Sequence, residues 1–284
     1  MATGPHPFTL GQQVSRSARS LLFFVPYLLY LALVTEPLQW LVLWPLVKLM
    51  PARRRAIMRA WLRGQLHVML GVSRAMAGFR VSVRGAIPPE SCIVLMNHQS
   101  VLDVVIGLSL VPGPLPVIPT RARYRRGVPG VSTLMALAGF PFVSERETTT
   151  RAELRSLVAA ADAVARGEQS VLIFPEGHRS RNGRILPFMP AGLRQVFKHA
   201  PHRPVYLVVA EGLGHLGSIA ETALRIAGTT ARVTVLGPYT IPAGAGRVGP
   251  FIESLRERMI GARAEDPPPD LSPLPHAADR RRLR

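Results

Sequence analysis

Cysteine and lysine are nearly absent from this chain. The one cysteine, Cys92, has no partner for a disulfide framework, so the sequence gives no sign of an oxidising compartment. It stands at the head of the apolar run Ile93-Val94-Leu95-Met96, where a small buried thiol is expected. Lys48 and Lys198 are the only lysines, and neither lies in the G-K-S/T pattern that cradles nucleotide phosphates, which excludes that NTPase class. No G-x-S-x-G occurs, so the nucleophile elbow of serine hydrolases on α/β folds is missing. No H-E-x-x-H occurs either, which leaves zinc hydrolysis without its ligand helix. No metal and no cofactor are expected.

Arginine is abundant instead. With few lysines it carries most of a formal charge of +18. Such a balance implies an anionic partner: nucleic acid, an anionic membrane surface or a phosphorylated substrate. The apolar content decides among them. With 48% hydrophobic residues and a positive mean hydropathy, the chain reads as membrane-associated, with no nucleic acid as partner. A chain of 284 residues suits one main domain with an appendage and can bury enough apolar surface to fold without staples.

Four segments are expected. Residues 1–20 are polar and loose. Residues 21–65 form a membrane-anchoring helical hairpin with a basic flank. The run Leu21–Met50 is almost wholly apolar, broken by Pro26, Glu36-Pro37, Pro45 and Lys48. Its clean stretches, Leu21–Thr35 and Leu38–Pro45, both fall short of the roughly 20 residues that an uninterrupted span needs. A cleaved signal peptide is not expected, because the run starts late and no small-x-small pattern follows. Two short helices hinged at Glu36-Pro37 are favoured over one kinked span, since an unpaired carboxylate in hydrocarbon is costly. Tyr27, Tyr30, Trp40 and Trp44 suit the interfacial zone. Arg53, Arg54, Arg55, Arg59 and Arg63 follow at once and place this flank on the cytoplasmic side against anionic lipid. Residues 264–284, rich in proline and arginine, read as a disordered tail.

Residues 66–263 form the α/β domain. Apolar runs predict strands over Phe79–Val83, Ile93–Met96, Pro116–Pro119, Gly139–Val143, Val171–Phe174, Val205–Val209 and Ala231–Leu236. Helical periodicity marks Arg151–Ala165 and, less sharply, Pro250–Ile260. The alternation implies a mostly parallel or mixed sheet flanked by helices, with the two-helix membrane element ahead of it.

Two polar blocks follow two of these strands. The first is Asn97-His98-Gln99-Ser100-Val101-Leu102-Asp103. If His98 sits in the turn and Asp103 in the first helical turn after it, the carboxylate can hold one ring nitrogen protonated and leave the other as a base. This is the His–Asp half of a triad with no enzyme nucleophile beside it, so a substrate hydroxyl must attack. Asn97 and Ser100 are either helix caps or contributors to the substrate site. The second block is Phe174-Pro175-Glu176-Gly177-His178-Arg179-Ser180. Arginine offers a planar donor fork suited to phosphate, so Arg179 and Arg181 form an anion site. Gly177 permits a tight turn, and Glu176 is available to fix an arginine or to bind a substrate hydroxyl.

Taken together, N-H-x-S-x-x-D and F-P-E-G-x-R-S in this order resemble the 1-acylglycerol-3-phosphate acyltransferase (PlsC-like) family from about Val83 to Leu236. The resemblance implies an enzyme that moves a fatty acyl group from acyl-CoA or acyl carrier protein to a lysophospholipid hydroxyl. By that resemblance His98 is the general base, Asp103 its orienter, and Glu176, Gly177 and Arg179 help to bind the acceptor. Gly139-Phe140-Pro141-Phe142-Val143-Ser144-Glu145-Arg146 resembles the family's middle block, with one extra residue before Arg146, the second phosphate ligand. Thr120-Arg121 stands where members often carry lysine, His178 replaces a threonine, and Met189 stands where lysine is common. Members commonly carry an N-terminal two-helix membrane element. The expected partners are membrane lipids, the lysophospholipid acceptor and the acyl carrier, at the cytoplasmic face of the cell membrane. The rivals are an acyltransferase with another lyso-lipid acceptor, such as a lyso-aminolipid, and a non-catalytic basic membrane protein.

Overall fold

The computed structural model describes residues 10–143, 150–180 and 183–263. Among them the strands are β1 (Arg80–Arg84), β2 (Ile93–Met96), β3 (Leu115–Val117), β4 (Thr120–Arg121), β5 (Phe142–Val143), β6 (Gln169–Ile173), β7 (Val205–Glu211) and β8 (Thr230–Tyr239). The long helix α1 starts as Leu10–Tyr30 and runs on through Trp44–Leu49. After it come α2 (Arg54–Val72), α3 (Leu102–Ser109), α4 (Ser132–Ala138), α5 (Arg151–Ala165), α6 (Pro190–His199), α7 (Ile219–Arg225) and α8 (Ala245–Gly261).

The sheet has the order β1-β8-β7-β2-β6-β3. Every pairing in it is parallel except β7 with β8. β4 and β5 make a separate parallel pair. β2 lies at the centre and is wholly buried, as a short apolar run covered on both faces should be. The expected α/β class with a mostly parallel sheet is therefore observed. Helix α5 has its expected ends. Thr150 starts it with a capping box: Glu153 N donates to Thr150 Oγ1 at 3.3 Å and Thr150 N donates to Glu153 Oε2 at 2.8 Å. The strand expected over Gly139–Val143 shrinks to Phe142–Val143, because Gly139 ends α4 in the left-handed conformation.

The N-terminal region differs most from expectation. Helix begins at Leu10 inside the segment read as loose, since Arg16 Nη2 donates to Ala227 O and Ala227 N donates to Ser20 Oγ, both at 3.0 Å. The chain does not hinge at Glu36-Pro37. It stays helical to Leu49 and turns at Met50–Arg53 instead. Two π-helical stretches, Leu31–Thr35 and Gln39–Leu43, absorb Pro37 and Pro45. Each contains the carbonyl four residues before a proline, Leu33 before Pro37 and Leu41 before Pro45, where the ring would otherwise clash. Glu36 is not an unpaired carboxylate. It accepts from Thr133 Oγ1 at 2.6 Å, Trp40 Nε1 at 2.9 Å and Gly130 N at 2.5 Å.

These wide turns also explain how α1 lies on the domain. Phe23, Leu31, Thr35, Gln39, Leu43 and Val47 are buried, with half-buried Tyr27 completing a spacing of four. At about 100° per residue, steps of four in a regular α-helix drift by about 40° and would wind around it. The underwound π stretches keep the stripe on one face. Leu33, Leu41 and Leu49 point away, 70%, 77% and 81% exposed. Gly130 meets the stripe so closely that a Cβ there would sit 3.1 Å from Thr35 Cγ2 and 3.2 Å from Leu31 O.

The basic flank is also placed differently. Arg54 Nε donates to Leu137 O at 2.9 Å, Arg59 and Arg63 donate to Pro112 O, and Arg55 pairs with Glu168 at 2.9 Å. Four of the five arginines expected to face lipid thus dock α2 onto the α/β domain. The Pro/Arg-rich segment 264–284 lies outside the described residues.

Glu36→Ala should remove the acceptor for three donors and loosen α1 from α4. Hydrogen bonds to a half-buried charged group are worth about 1–3 kcal/mol together with the unpaired donors left behind. A fall of several degrees in the denaturation temperature of the detergent-solubilised chain is expected; an unchanged value would show that the clamp holds nothing.

Candidate active site

The site follows from the register of two neighbouring parallel strands. Leu95 of β2 pairs with Ile173 of β6. Three residues further along each strand lie His98 and Glu176, so the two polar blocks leave the sheet side by side, at the carboxyl ends of the strands. His98 N donates to Glu176 Oε1 at 2.8 Å, and Ser180 N donates to His98 O at 2.7 Å. The His98 ring stacks on Phe174 with centroids 4.1 Å apart. The second block therefore holds the histidine of the first by backbone and by ring.

Asp103 fixes the ring's other edge. Its carboxylate is buried in the first turn of α3, where Oδ2 accepts from Gln99 N at 2.5 Å and Ser100 N at 2.7 Å. The same oxygen lies 3.0 Å from His98 Nδ1. A carboxylate already holding two N–H donors acts as acceptor toward the imidazole, so Nδ1 carries the proton. Nε2 is then left with its lone pair, on a side chain 17% exposed. This arrangement can accept a proton from a hydroxyl and return it to a leaving group.

Asn97 and Ser100 were expected as caps or substrate contacts. Asn97 is buried, its amide bridging to β7 through Ala210 N at 2.7 Å and Ala210 O at 2.9 Å. Ser100 is buried as well, its Oγ donating to Leu216 O at 2.7 Å. Both lock the loop in place. Among the described residues Glu176 fixes no arginine, and it does not open to a substrate hydroxyl. It is fully buried, and its second oxygen accepts from Leu186 N at 2.8 Å. Burial pushes its carboxyl above the usual range, opposed by the two backbone N–H donors. Gly177 has φ 71°, and a Cβ there would run into Met189 Sδ.

Arg179 is half-buried, and its Nη1 donates to Gly217 O, in the turn that also receives Ser100. Sequence reasoning missed the part played by Arg121, whose Nη2 donates to Gly177 O at 2.7 Å. Its signal was the place in sequence where the family often carries lysine. Gln99, the variable position of the first block, was missed too; its Nε2 donates to Ala210 O at 3.1 Å. Arg121 thus reaches the Gly177 turn, while Arg179, two residues after Gly177, reaches the Gly217 turn. Arg146 and Arg181 lie outside the described residues.

Comparison with known proteins gives the family and the fold. A family model described as Acyltransferase matches residues 79–225. The human 1-acyl-sn-glycerol-3-phosphate acyltransferase alpha is 35% identical over 126 residues, 43% of this chain and 43% of that protein. The 1-acyl-sn-glycerol-3-phosphate acyltransferase of Borreliella burgdorferi is 28% identical over 139 residues, 47% of this chain and 52% of that one. The chain thus matches about half the length of these curated relatives. The crystal structure of the 1-acyl-sn-glycerophosphate acyltransferase PlsC from Thermotoga maritima superposes with a TM-score of 0.62, covering 89% of this chain and 99% of that one at 18% identity. That likeness is one of fold.

Glu176→Gln replaces one of two accepting oxygens by a donor, leaving either His98 N or Leu186 N unpaired. A loss of about 1–3 kcal/mol is expected on denaturation. A carboxyl raised by folding contributes stability below its unfolded value and loses it as pH rises through the folded one. That segment of the wild-type stability profile should be absent in the variant; identical profiles would contradict the buried placement.

Proposed function

Since the chain belongs to the acyltransferase family, we propose that it transfers a fatty acyl group from an acyl thioester, acyl-CoA or acyl carrier protein, to the free hydroxyl of 1-acyl-glycerol-3-phosphate, giving phosphatidic acid. The observation that carries this reading is the His98–Asp103 contact at 3.0 Å, with the other ring nitrogen left to act. Nε2 of His98 takes the acceptor's hydroxyl proton as its oxygen attacks the thioester carbonyl. Asp103 stabilises the imidazolium so formed, which returns the proton to the departing thiolate. The transfer is direct. Cys92 is buried with its thiol pushed up to about 11 by desolvation, and the Ser100 hydroxyl is engaged with Leu216 O, so neither supplies an acyl-enzyme nucleophile. The acceptor's phosphate is held by Arg179, with Arg121 reaching the neighbouring Gly177 turn, forks suited to a tetrahedral anion.

The apolar outer face of α1 supports a place on the surface of a bilayer. The segment Gly11–Leu49 is long and apolar enough to cross a membrane. It is fastened to the α/β domain near Ser20 and again near Glu36 and Gln39, which favours a helix lying in the interface. Both lipid substrate and lipid product can then reach the site without leaving the bilayer, avoiding about 0.8 kcal/mol per CH₂ of extraction.

Purified chain incubated with labelled acyl thioester and a panel of lyso-lipids should acylate the phosphorylated acceptor. His98→Ala and Asp103→Ala should each lower turnover by about 10²–10⁴ while the protein stays folded. A trapped acyl-enzyme would overturn the direct mechanism, and equal use of an unphosphorylated acceptor would overturn the phosphate site. For the orientation, cysteines placed at Ser15 and Ala52 should label from the same side of the membrane. Labelling from opposite sides would mean a crossing helix.

A further inference from the structure

The turn after β7 presents two carbonyls to the site. Leu216 O accepts from Ser100 Oγ at 2.7 Å, and Gly217 O accepts from Arg179 Nη1. A Cβ on Gly217 would lie 3.8 Å from Gln99 O, so this backbone stands against the loop that carries His98. Leu216 O has a second donor in Thr222 Oγ1 of α7, at 3.2 Å, and is anchored without further help. Between Gly212 and Gly217 the one polar side chain is that of His215. Its Nε2 lies 3.1 Å from Thr229 Oγ1. That hydroxyl donates to Arg225 O at 3.2 Å, so toward the ring it accepts, and Nε2 carries the proton. Burial, with the charges of Arg16 and Arg225 against that of Glu221, pushes His215 down to about 4, so the imidazole is neutral at neutral pH. Thr229 is a fixed point. It is buried in the link before β8, where Ala227 N donates to Ser20 Oγ of α1 at 3.0 Å, Gly228 N to Ala77 O at 2.8 Å and Thr229 N to Ile226 O at 3.1 Å.

We propose that His215 is a positioning residue for the phosphorylated acceptor. Its hydrogen bond to Thr229 sets where Gly217 O stands, and Gly217 O sets the plane of the Arg179 guanidinium. This deepens, and rests on, the reading that Arg179 receives the acceptor's phosphate. A guanidinium is a planar fork of fixed donors, so tying Nη1 to one carbonyl aims the donors that remain. An untied arginine stem must lose its rotamer freedom when the phosphate arrives, which weakens binding. His98 is held by other means: Asp103 at Nδ1, Glu176 at the backbone N–H and Phe174 at the ring. Loss of the His215 bond therefore falls on acceptor affinity and spares the proton transfer, which is a change in KM with kcat kept.

Steady-state kinetics of the full chain in detergent micelles test this, with 1-acyl-glycerol-3-phosphate and the acyl thioester varied in turn. His215→Phe keeps a flat ring and removes the donor. It should raise the acceptor KM on the order of fivefold, the worth of one neutral hydrogen bond, and leave kcat and the thioester KM unchanged. His215→Gln, whose amide can donate to Thr229 Oγ1, should recover the wild-type value. Thr229→Val breaks the same bond from its other end, so it should match His215→Phe, and it decides the matter if that variant fails to fold. The two together should be no worse than either alone. In an Arg179→Gln background His215→Phe should add nothing. An unchanged acceptor KM in both single variants overturns the proposal, as does full additivity with Arg179→Gln. So does an equal rise in both KM values, a fall confined to kcat, or a rise that His215→Gln does not reverse, since each marks packing and not aim. If Arg179→Gln itself leaves the acceptor KM at the wild-type value, the phosphate reading fails and this proposal fails with it.

Discussion

The parallel pairing of β2 with β6 is the constraint on which the site depends. It sets Leu95 opposite Ile173, and so delivers His98 and Glu176 to the same height above the sheet. Everything after that is local. Glu176 takes the His98 N–H, Ser180 donates to the His98 carbonyl, and Phe174 receives the ring. A slip of one residue between these strands would turn the alternating side chains to the wrong faces and separate the two blocks. All of β2 and Val171 and Leu172 of β6 are buried and apolar, so packing specifies the register.

A second constraint acts on α1. A helix that presents one buried stripe at a spacing of four must be underwound, and the two prolines supply the places where it is. The clamp from Glu36 to Gly130, Thr133 and Trp40 lies between the π stretches. Proline, wide turn and half-buried acid thus belong to one device, which keeps a long apolar helix flat on a basic α/β domain. The loop that receives this clamp also reaches the Gly177 turn, so the apolar face and the site are joined by about ten residues of chain, Arg121 to Gly130.

Much of the α/β domain was legible in the sequence. β2, β6, β7, β8 and α5 are apolar runs or amphipathic periods bounded by turns, and they form close to where they were expected. Short helices were not legible. Leu102–Ser109 is apolar apart from Asp103 and Ser109 and shows no period beyond the helical turn expected at Asp103, and Ser132–Ala138 is too brief to show one. The hinge at Glu36-Pro37 was misplaced because a carboxylate in an apolar run reads as a break until its partners, 94 and 97 residues away, are known. The arginine flank was misread for the same reason: exposed cations and cations that cap distant carbonyls look alike in one dimension.

The sequence by itself determined the chemistry available. His98 and Asp103 five apart after a buried strand, and Arg179 in a Pro-Glu-Gly turn after another, carry their residue types wherever the chain goes. Only the tertiary structure decided how those types are used. It made Glu176, Asn97 and Ser100 the braces of the site and not its open contacts, and it brought Arg121 to the Gly177 turn. The physical reason is burial. A polar side chain drawn into the interior must find its hydrogen-bond partners there, and those partners lie on strands and loops whose neighbours are set by the sheet order, which no local spacing encodes.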